Sequence, residues 1–596
     1  MAAPYEYSPL PPWPRTDYCG ALRAADAGRE VALWGWVASR RDHGGLIFID
    51  LRDREGILQL VFNPATAAAA HEVAGRARSE YYLAARGKVV MRAEGAVNAE
   101  LATGTVEIAV TEMQILNGSQ PPPFSIDAEG TAEDIRLRYR YLDLRRPAMQ
   151  RNLRRRALAV QATRSYLDGA GFVEIETPIL WRATPEGARD YLVPSRVNPG
   201  RFYALPQSPQ LLKQLLMVSG FDRYYQIARC FRDEDLRANR QPEFSQVDIE
   251  LTCPRVDDVV ATGEGMMAEI YRRVLGIELA TPFLRLSHAE AMERFGVDKP
   301  DLRFGMELKN LDTAFSGTRF KVFAEVLARG ASIYGIVLPA AHQLSRRELD
   351  EMTESVRTRY GFGLAYAKAA SDGWQGPIAR HLSDDERVRV AHAAGLAAGD
   401  TLLMVAGEAA RVRPILGDLR LQLGSKFKLR ETGELKFLWV VEFPLFEYDE
   451  EEKRMVAVNH PFTAPHPGDL ELLDSAPLKA RALAYDMVLN GEELGGGSIR
   501  IHNPELQLKV FGLLGFPRDE AMLKFGFLLE ALGYGAPPHG GIAFGVDRIA
   551  MLVSGTESLR EVMAFPKTQR AVDLMSGAPS EVDPRQLREL SIKVTS

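Results

Sequence analysis

Two apolar, strand-like runs, YYQIARC and SQVDIEL, are separated by fourteen residues, FRDEDLRANRQPEF, of which seven are ionised. The pattern calls for a strand, a long charged turn and a returning strand. Two readings stand for the loop between Phe231 and Phe244. In one it is a solvated hairpin tip, the fate of most charge runs. In the other it meets a ligand that carries many negative charges and hydrogen-bond donors.

The 596 residues suffice for about four domains at roughly 150 residues each. With 46% apolar and 26% charged residues the chain has ordinary globular usage and large cores available. A net charge of −6 argues against non-specific nucleic-acid binding by the whole surface and leaves room for a local basic face. Cys19, Cys230 and Cys253 form no C-x-x-C pair, which speaks against a disulfide framework or a cysteine zinc site and suits a reducing cytoplasm. No apolar run is long enough to cross a bilayer. The opening MAAPYEYSPLPPWPRTDY lacks a basic n-region and an apolar h-region, so residues 1–17 read as a flexible tail.

Residues 18–118 are β-rich. EVALWGWVASRRDHGGLIFIDLRDREGILQLVF holds three strand-like runs divided by the turn-prone RRDHGG and RDREG. GKVVMRAEGAVNA and GTVEIAVTEMQIL add two more, with a helical patch near HEVAGRARSEYYLAA. Five strands in this length suit a small closed barrel of the oligonucleotide-binding type. NGSQPPPF then reads as a linker, and 119–150 as a hinge. From Ile135 to Arg156 the chain is dense in arginine, either a solvated helix face or a phosphate-contacting strip.

The next segment, 151–289, holds a helix ending in glycine, the strand-like FVEIETPIL, and SPQLLKQLLMVSG. In the last, Ser208 is the expected N-cap, Pro209 the first helical residue, and Gly220 follows the end. Residues 290–430 change to alanine-rich helices, two of them opening with Ser-x-x-Glu capping boxes, and read as an inserted domain. Strand-like segments resume over 431–570, and 571–596 is a polar extension.

AYDMVLNGEELGGGSIRIH contains Asn-Gly, the strongest short hairpin signal. With Asn490 and Gly491 as the turn, Glu493 lies opposite Val488, and alternation sets Asp486 and Glu493 on one face. Such a pair is a solvated hairpin face or a seat for a cation, Mg²⁺ if phosphates are near. Simple alternation sends Arg500 to the other face, so a bulge in the run Gly495 to Gly497 is needed to return it. GIAFGVDRIAMLVSG reads as a buried strand, a glycine turn and a helix with Arg548 in its first turn. An arginine is disfavoured there by the macrodipole unless it turns outward to water or an anion is bound. In the charged loop, Arg232 offers a fork for phosphate, Glu234 an acceptor for an amino group, and Phe244 a surface for a base or a core aromatic. No Walker loop and no dinucleotide fingerprint occurs.

FVEIETPIL with Pro178, the loop FRDEDLRANRQPEF, and GIAFGVDRI resemble motifs 1, 2 and 3 of class II aminoacyl-tRNA synthetases. TPEGARDYLVPSR, QSPQLLKQLLM, NHPFTAP and GEELGGGSIRIH resemble the bacterial-type aspartyl-tRNA synthetases. So does the barrel segment, and the likeness covers nearly the whole chain. It implies an α+β multidomain fold: an OB-fold barrel at 18–118, and an antiparallel-sheet catalytic domain with an inserted α/β domain. It implies two-step attachment of L-aspartate to tRNA(Asp) through an aspartyl-adenylate. The alternatives are an enzyme that also charges tRNA(Asn), and a non-catalytic RNA-binding paralogue.

The same resemblance implies the site. Arg232 and Arg548 would be catalytic, holding the α- and γ-phosphates. Asp233, Glu234, Gln241, Phe244, Glu493, Gly545, Val546 and Asp547 would complete the ATP site, and Asp486 with Glu493 would hold Mg²⁺. Glu186, Ser208, Gln210, Lys213, Asp248, His460 and Arg500 would join Arg232 around aspartate. Lys213 and Arg500 would give that pocket two fixed positive charges, which favour a carboxylate side chain over an amide. In the barrel, Arg41, Phe48 and Gln59 match anticodon-contacting positions, and His43 is a candidate for tRNA specificity. A homodimer with Pro178 at its interface is implied as well.

Overall fold

The computed structural model describes residues 9–184, 187–234, 240–370 and 373–595. The chain falls into two compact units. One comprises residues 1–156, 236–241 and 550–582, the other 157–235, 242–549 and 583–596.

In the first unit, β1 (Glu30–His43), β2 (Leu46–Arg52), β3 (Ile57–Phe62), β4 (Tyr82–Met91) and β5 (Val106–Asn117) close a barrel in the order β1-β2-β3-β5-β4. Alternation turns Val31, Leu33, Ile47, Ile49, Leu58 and Leu60 into one core. The helix Ala68–Arg76 adds Ala70 and Ala74 to it. The helix ends before Tyr82, and YLAA opens β4 instead, so the helical patch is shorter and earlier than expected. RRDHGG is mostly strand: β1 runs through His43, and only Gly44 and Gly45, at φ 61° and 80°, make the turn. The described part of the expected loose tail is strapped to the barrel, with Thr16 and Ala32 exchanging two bonds and Pro9 accepting from Gln114.

The arginine-dense segment is neither a bare solvated face nor a free phosphate strip. Arg140 is 2% exposed and donates to the carbonyls of Arg560, Met563 and Ala564. Arg136 pairs with Asp143 and Glu561. Arg145 pairs with Glu80, which also holds Arg52. These guanidiniums join segments that lie far apart in the chain.

The second unit is built on an eight-stranded sheet whose order, named by residues, is 284–287, 437–441, 484–489, 492–499, 539–545, 243–252, 223–231 and 173–174. Its first strand, β6 (Val173–Glu174), is all that forms of the expected strand FVEIETPIL, because the chain turns off before Pro178, which has no N–H to give. A small ribbon, β7 (Leu192–Pro194) and β8 (Phe202–Ala204), precedes the helix Gln210–Val218. Then come β9 (Arg223–Phe231), β10 (Glu243–Thr252) and β11 (Leu284–Ser287). The helix Val256–Leu275 covers the far face of the sheet, where a Cβ on Gly263 would stand 3.1 Å from both Phe544 and Trp439.

Within the insertion, β12 (Lys309–Asn310), β13 (Ser332–Leu338), β14 (Leu364–Ala370), β15 (Gly373–Gln375) and β16 (Thr401–Gly407) form a separate sheet. Apolar clusters lie on both of its faces. Ser345 and Ser383 close the two expected capping boxes, and Gly361 and Gly395 end those helices in the left-handed conformation. The chain returns through β17 (Phe437–Val441), the ribbon β18 (Phe446–Asp449) and β19 (Arg454–Ala457), β20 (Ala484–Leu489), β21 (Glu492–Ile499) and β22 (His539–Gly545). Among the described residues no helix is long and apolar enough to cross a membrane.

Candidate functional site

Residues paired directly across a sheet share a face. One row therefore runs Asp486, Gly496, Ala543, Asp248, Gln226 across β20, β21, β22, β10 and β9. The next runs Ala484, Ser498, Gly541, Glu250, Tyr224. In the other direction lie Gly545, Gln246 and Ala228, then Phe244 and Cys230. The middle of this floor has almost no side chains, and its flanks are charged. A Cβ on Gly541 would fall 2.2 Å from Glu250 Oε2, and one on Gly496 would fall 2.4 Å from Asp486 Oδ1. Glycine there is what lets the carboxylates lie over the strands.

The Asn490–Gly491 turn sets Val488 opposite Glu493, as the sequence requires. Opposite Met487 the partner is already Gly495, so Leu494 is the extra residue of a bulge. Parity is reversed just before the glycine run, not within it. Gly496, Ser498 and then Arg500 thereby return to the face that carries Asp486 and Glu493. The Asp486 carboxyl is pushed well above the usual range by burial and by the neighbouring Glu493 carboxylate. A divalent cation between the two would relieve that conflict, so the pair fits one.

At the other flank Lys213, 1% exposed, reaches down from the helix Gln210–Val218. Its Nζ stands 3.1 Å from Asp248 Oδ1 and 3.4 Å from Glu250 Oε2. Arg500, also 1% exposed, donates from Nε to Glu250 Oε1 at 3.0 Å and from Nη2 to Oε2 at 3.2 Å. Its Nη1 meets Ser498 Oγ at 2.8 Å and is bonded to His460. Two cations and two anions alternate here. The two expected positive charges are there, and Glu250, which was not expected, sits between them, because neither could be buried alone. Burial raises the Asp248 carboxyl although Lys213 opposes the shift. For Glu250 burial acts the same way, and Arg500 and Lys213 outweigh it, so that its pKa lies below the usual range. Burial, Arg500 and Lys213 hold His460 well below its ordinary value, so it is a neutral imidazole.

Glu250 was not singled out in the sequence. Its signal was there: Gln246, Asp248 and Glu250 alternate with Val247 and Ile249, which sets all three acids and amides on one face. Gln210 lies beside Lys213 on the same helix, 7% exposed, with its Nε2 unpartnered. That helix starts at Gln210, one residue later than expected, with Pro209 as N-cap; Ser208 Oγ still accepts from the Gln210 N–H at 3.3 Å. Glu186 lies outside the described residues.

Along β9 and β10 the floor leads to Arg232. Its guanidinium lies 5.1 Å over the Phe244 ring, and its Nε is buried without a partner among the described residues. Asp233 is exposed and bridges to Arg189, and Glu234 is partly buried. After Gly545, Val546 opens the helix Val546–Ser554. Arg548, in its first turn, donates to the carbonyl of Glu493, and Asp547 accepts the Ser245 N–H at 2.9 Å. Motifs 2 and 3 thus meet on one face of one sheet. Gln241 belongs with the first unit, where both ends of its carboxamide bond to the backbone of Lys567. Pro178 follows Thr177, whose hydroxyl donates to Gln226. Beside it Val173, Ile179 and Leu180 are 49%, 46% and 51% exposed.

On the barrel, Arg41 pairs with Phe48, and Asp50 with Gln59, all facing outward because Ile47 and Ile49 are buried. Arg41 Nη2 donates to Asp50 at 3.2 Å and to Gln59 at 3.1 Å, and Gln59 donates to Glu107. His43, opposite Leu46, lies on the same face.

Residues 132–569 match the family model described as tRNA synthetases class II (D, K and N), and residues 31–116 match the OB-fold nucleic acid binding domain. A protein of Syntrophotalea carbinolica named aspartate–tRNA(Asp/Asn) ligase is 54% identical over 98% of either chain. A protein of the same name from Thermoanaerobacter pseudethanolicus is 54% identical over 97% of this chain and 98% of its own. Among solved structures, asparaginyl-tRNA synthetase from Pyrococcus horikoshii with asparaginyl-adenylate superposes with a TM-score of 0.59 at 18% identity, covering 93% of this chain and 98% of its own. A putative aspartyl-tRNA synthetase from Leishmania major gives 0.59 at 19%, covering 95% of each. At such identities these two likenesses concern the fold.

Proposed function

Because the chain belongs to the class II (D, K and N) tRNA synthetases, we infer that its cleft joins L-aspartate to ATP and passes the aspartyl group to tRNA. The observation that carries the reading is the buried alternation of Lys213, Asp248, Glu250 and Arg500. A zwitterionic acid suits it. The substrate side-chain carboxylate lies toward Lys213 and Arg500, and its ammonium toward Asp248, whose Oδ2 is buried without a partner. An amide side chain would leave the cations less well matched, and a basic one would be repelled. Ser208, Gln210, His460 and Glu186 are the remaining candidates around the amino acid.

In the first step the substrate α-carboxylate attacks the α-phosphorus of ATP and pyrophosphate leaves. In the second the terminal adenosine of tRNA attacks the aspartyl carbonyl and AMP leaves. Both steps pass through anionic centres, so positioning and charge stabilisation carry the catalysis. Arg232, with an unpartnered Nε beside the Phe244 ring, holds the α-phosphate while Phe244 stacks on adenine. Arg548, at a helix N-terminus, holds the γ-phosphate. Asp233, Glu234, Gly545, Val546 and Asp547 frame the nucleotide. Asp486 and Glu493 would hold Mg²⁺, which supplies charge neutralisation at the phosphates when bound.

The barrel presents Arg41, Phe48 and Gln59 to the anticodon, with Phe48 as a stacking platform. The relatives' names cover both tRNA(Asp) and tRNA(Asn), which supports charging of both, with His43 as the residue to vary. The exposed apolar residues beside Pro178 support a homodimer, and the reaction belongs to the cytoplasm, where tRNA is used. The test is aminoacylation of purified tRNA(Asp) and tRNA(Asn) side by side. Aspartate should appear on both. Charging of tRNA(Asp) alone would restrict the function to one acceptor. Absence of charging, together with absence of aspartate-dependent ATP–pyrophosphate exchange, would leave an RNA-binding protein.

A further inference from the structure

The insertion is joined to the catalytic sheet through a knot of ionised groups at its root. Asp301 lies where the chain enters, Arg430 where it leaves. Asp301 is fully buried, and its carboxylate takes Arg303 at 3.0 and 2.6 Å and Arg430 at 3.1 Å. Arg303 Nη1 donates to the Arg430 carbonyl at 2.6 Å, which staples entry to exit. Its Nη2 also reaches the carbonyl of Asn490 at 3.4 Å.

Asn490 and Gly491 are the tip of the hairpin that carries Glu493. The Gly491 backbone lies against Asp301, whose Cβ would stand 3.2 Å from a Cβ placed there. On the exit side, Asn490 accepts from the Lys436 N–H at 3.0 Å and donates to the Glu434 carbonyl at 2.9 Å. The tip is therefore held from both ends of the insertion. Glu493 follows Gly491 by two residues, and the Leu494 bulge lies immediately beyond. A hairpin that swung at its tip would move Glu493 relative to Asp486, because the bulge separates the tip-side pair Glu493–Val488 from the ladder that resumes at Gly495, where pairing to β22 also begins.

We propose that Arg303, oriented by Asp301, is a positioning residue for the divalent-cation seat, and that the insertion's root sets the separation of Glu493 and Asp486. This rests on the reading of those two carboxylates as the cation site. The inserted domain thereby has a part in the reaction without touching substrate: it braces the hairpin.

The test titrates Mn²⁺ alone against the full-length protein, following free Mn²⁺ by EPR. It also follows hydrogen exchange in peptides covering 484–499. Arg303→Gln should weaken Mn²⁺ binding about 10-fold, the lower end of what groups supporting a metal ligand are worth. It should also hasten exchange in the hairpin while the aspartate KM changes less than twofold. Gly491→Ala leaves the arginine in place and pushes the tip from Asp301, so it should do the same, and it serves if Arg303→Gln does not fold. Rescue by Arg303→Lys should be partial, since an ammonium cannot bridge Asp301 and two carbonyls in one plane. Unchanged Mn²⁺ affinity and exchange in both variants would overturn the proposal, provided that Glu493→Gln weakens Mn²⁺. If Glu493→Gln leaves Mn²⁺ binding unchanged, the hairpin is not the seat, and the reading falls together with the proposal.

Discussion

At the residue scale, the pocket works because each buried charge is answered by another. Lys213 contacts two acids, and only one of them, Glu250, has a second cation in Arg500. Lys213→Met therefore strands Asp248. Its carboxyl is already raised by burial, and loss of the ammonium raises it further, so that it takes up a proton. A carboxyl with a raised folded pKa adds stability below its unfolded value and loses it as pH rises through the folded one. The variant should thus lose melting temperature relative to wild type at pH 8 and recover much of it toward pH 5. Aspartate-dependent pyrophosphate exchange should fall about 10²- to 10⁴-fold in kcat/KM, following the roughly 3–5 kcal/mol at stake when one partner of a buried pair is removed. A pH-independent melting difference would contradict this. The cations of this pocket were legible one by one. Glu250 was not, because a single sequence shows that an acid alternates into a face but not which cation will meet it there.

At the scale of elements, the floor is a place where side chains are excluded. Gly541→Ala would drive a Cβ to 2.0 Å from the Ile249 carbonyl as well as into Glu250. Expected is a folded or partly folded protein with β10 and β22 pushed apart, a melting temperature lower by several degrees, and exchange activity below a hundredth of wild type. Calorimetry and the exchange assay check it, and wild-type activity with unchanged melting would refute the crowding argument. Much of the element layout was readable, for stated causes. Asn-Gly fixes a two-residue turn and thus a register, and alternating isoleucines around Phe48 fix which way it points. The short β6 was not readable, since its neighbour β9 and the hydrogen bonds that define it lie fifty residues away. Nor were the arginine clamps of the first unit: whether a guanidinium meets solvent, phosphate or a carbonyl is decided by partners more than 400 residues distant, such as Ala564 for Arg140.

At the scale of the whole molecule, the buried charge cluster and the OB-fold barrel belong to different compact units. Phe48→Ala should raise the KM for tRNA about 5- to 150-fold, from the ~1–3 kcal/mol of one base stacked on an aromatic ring, with the turnover at saturating tRNA little changed. Steady-state charging over a range of tRNA concentrations reads this directly, and an unaltered KM would remove Phe48 from the interface. The overall likeness to known synthetases was visible in the motifs, whereas the bracing of the insertion was not, because Asp301, Arg303 and Arg430 look like ordinary surface charges until the fold joins them. Leu494 has a different kind of consequence. A β-strand keeps time in twos, and this leucine is a frameshift in that rhythm, so the stretch from the hairpin tip to Arg500 tolerates added or removed codons only in pairs. A library that varies its length by single residues should return survivors at even changes and none at odd ones.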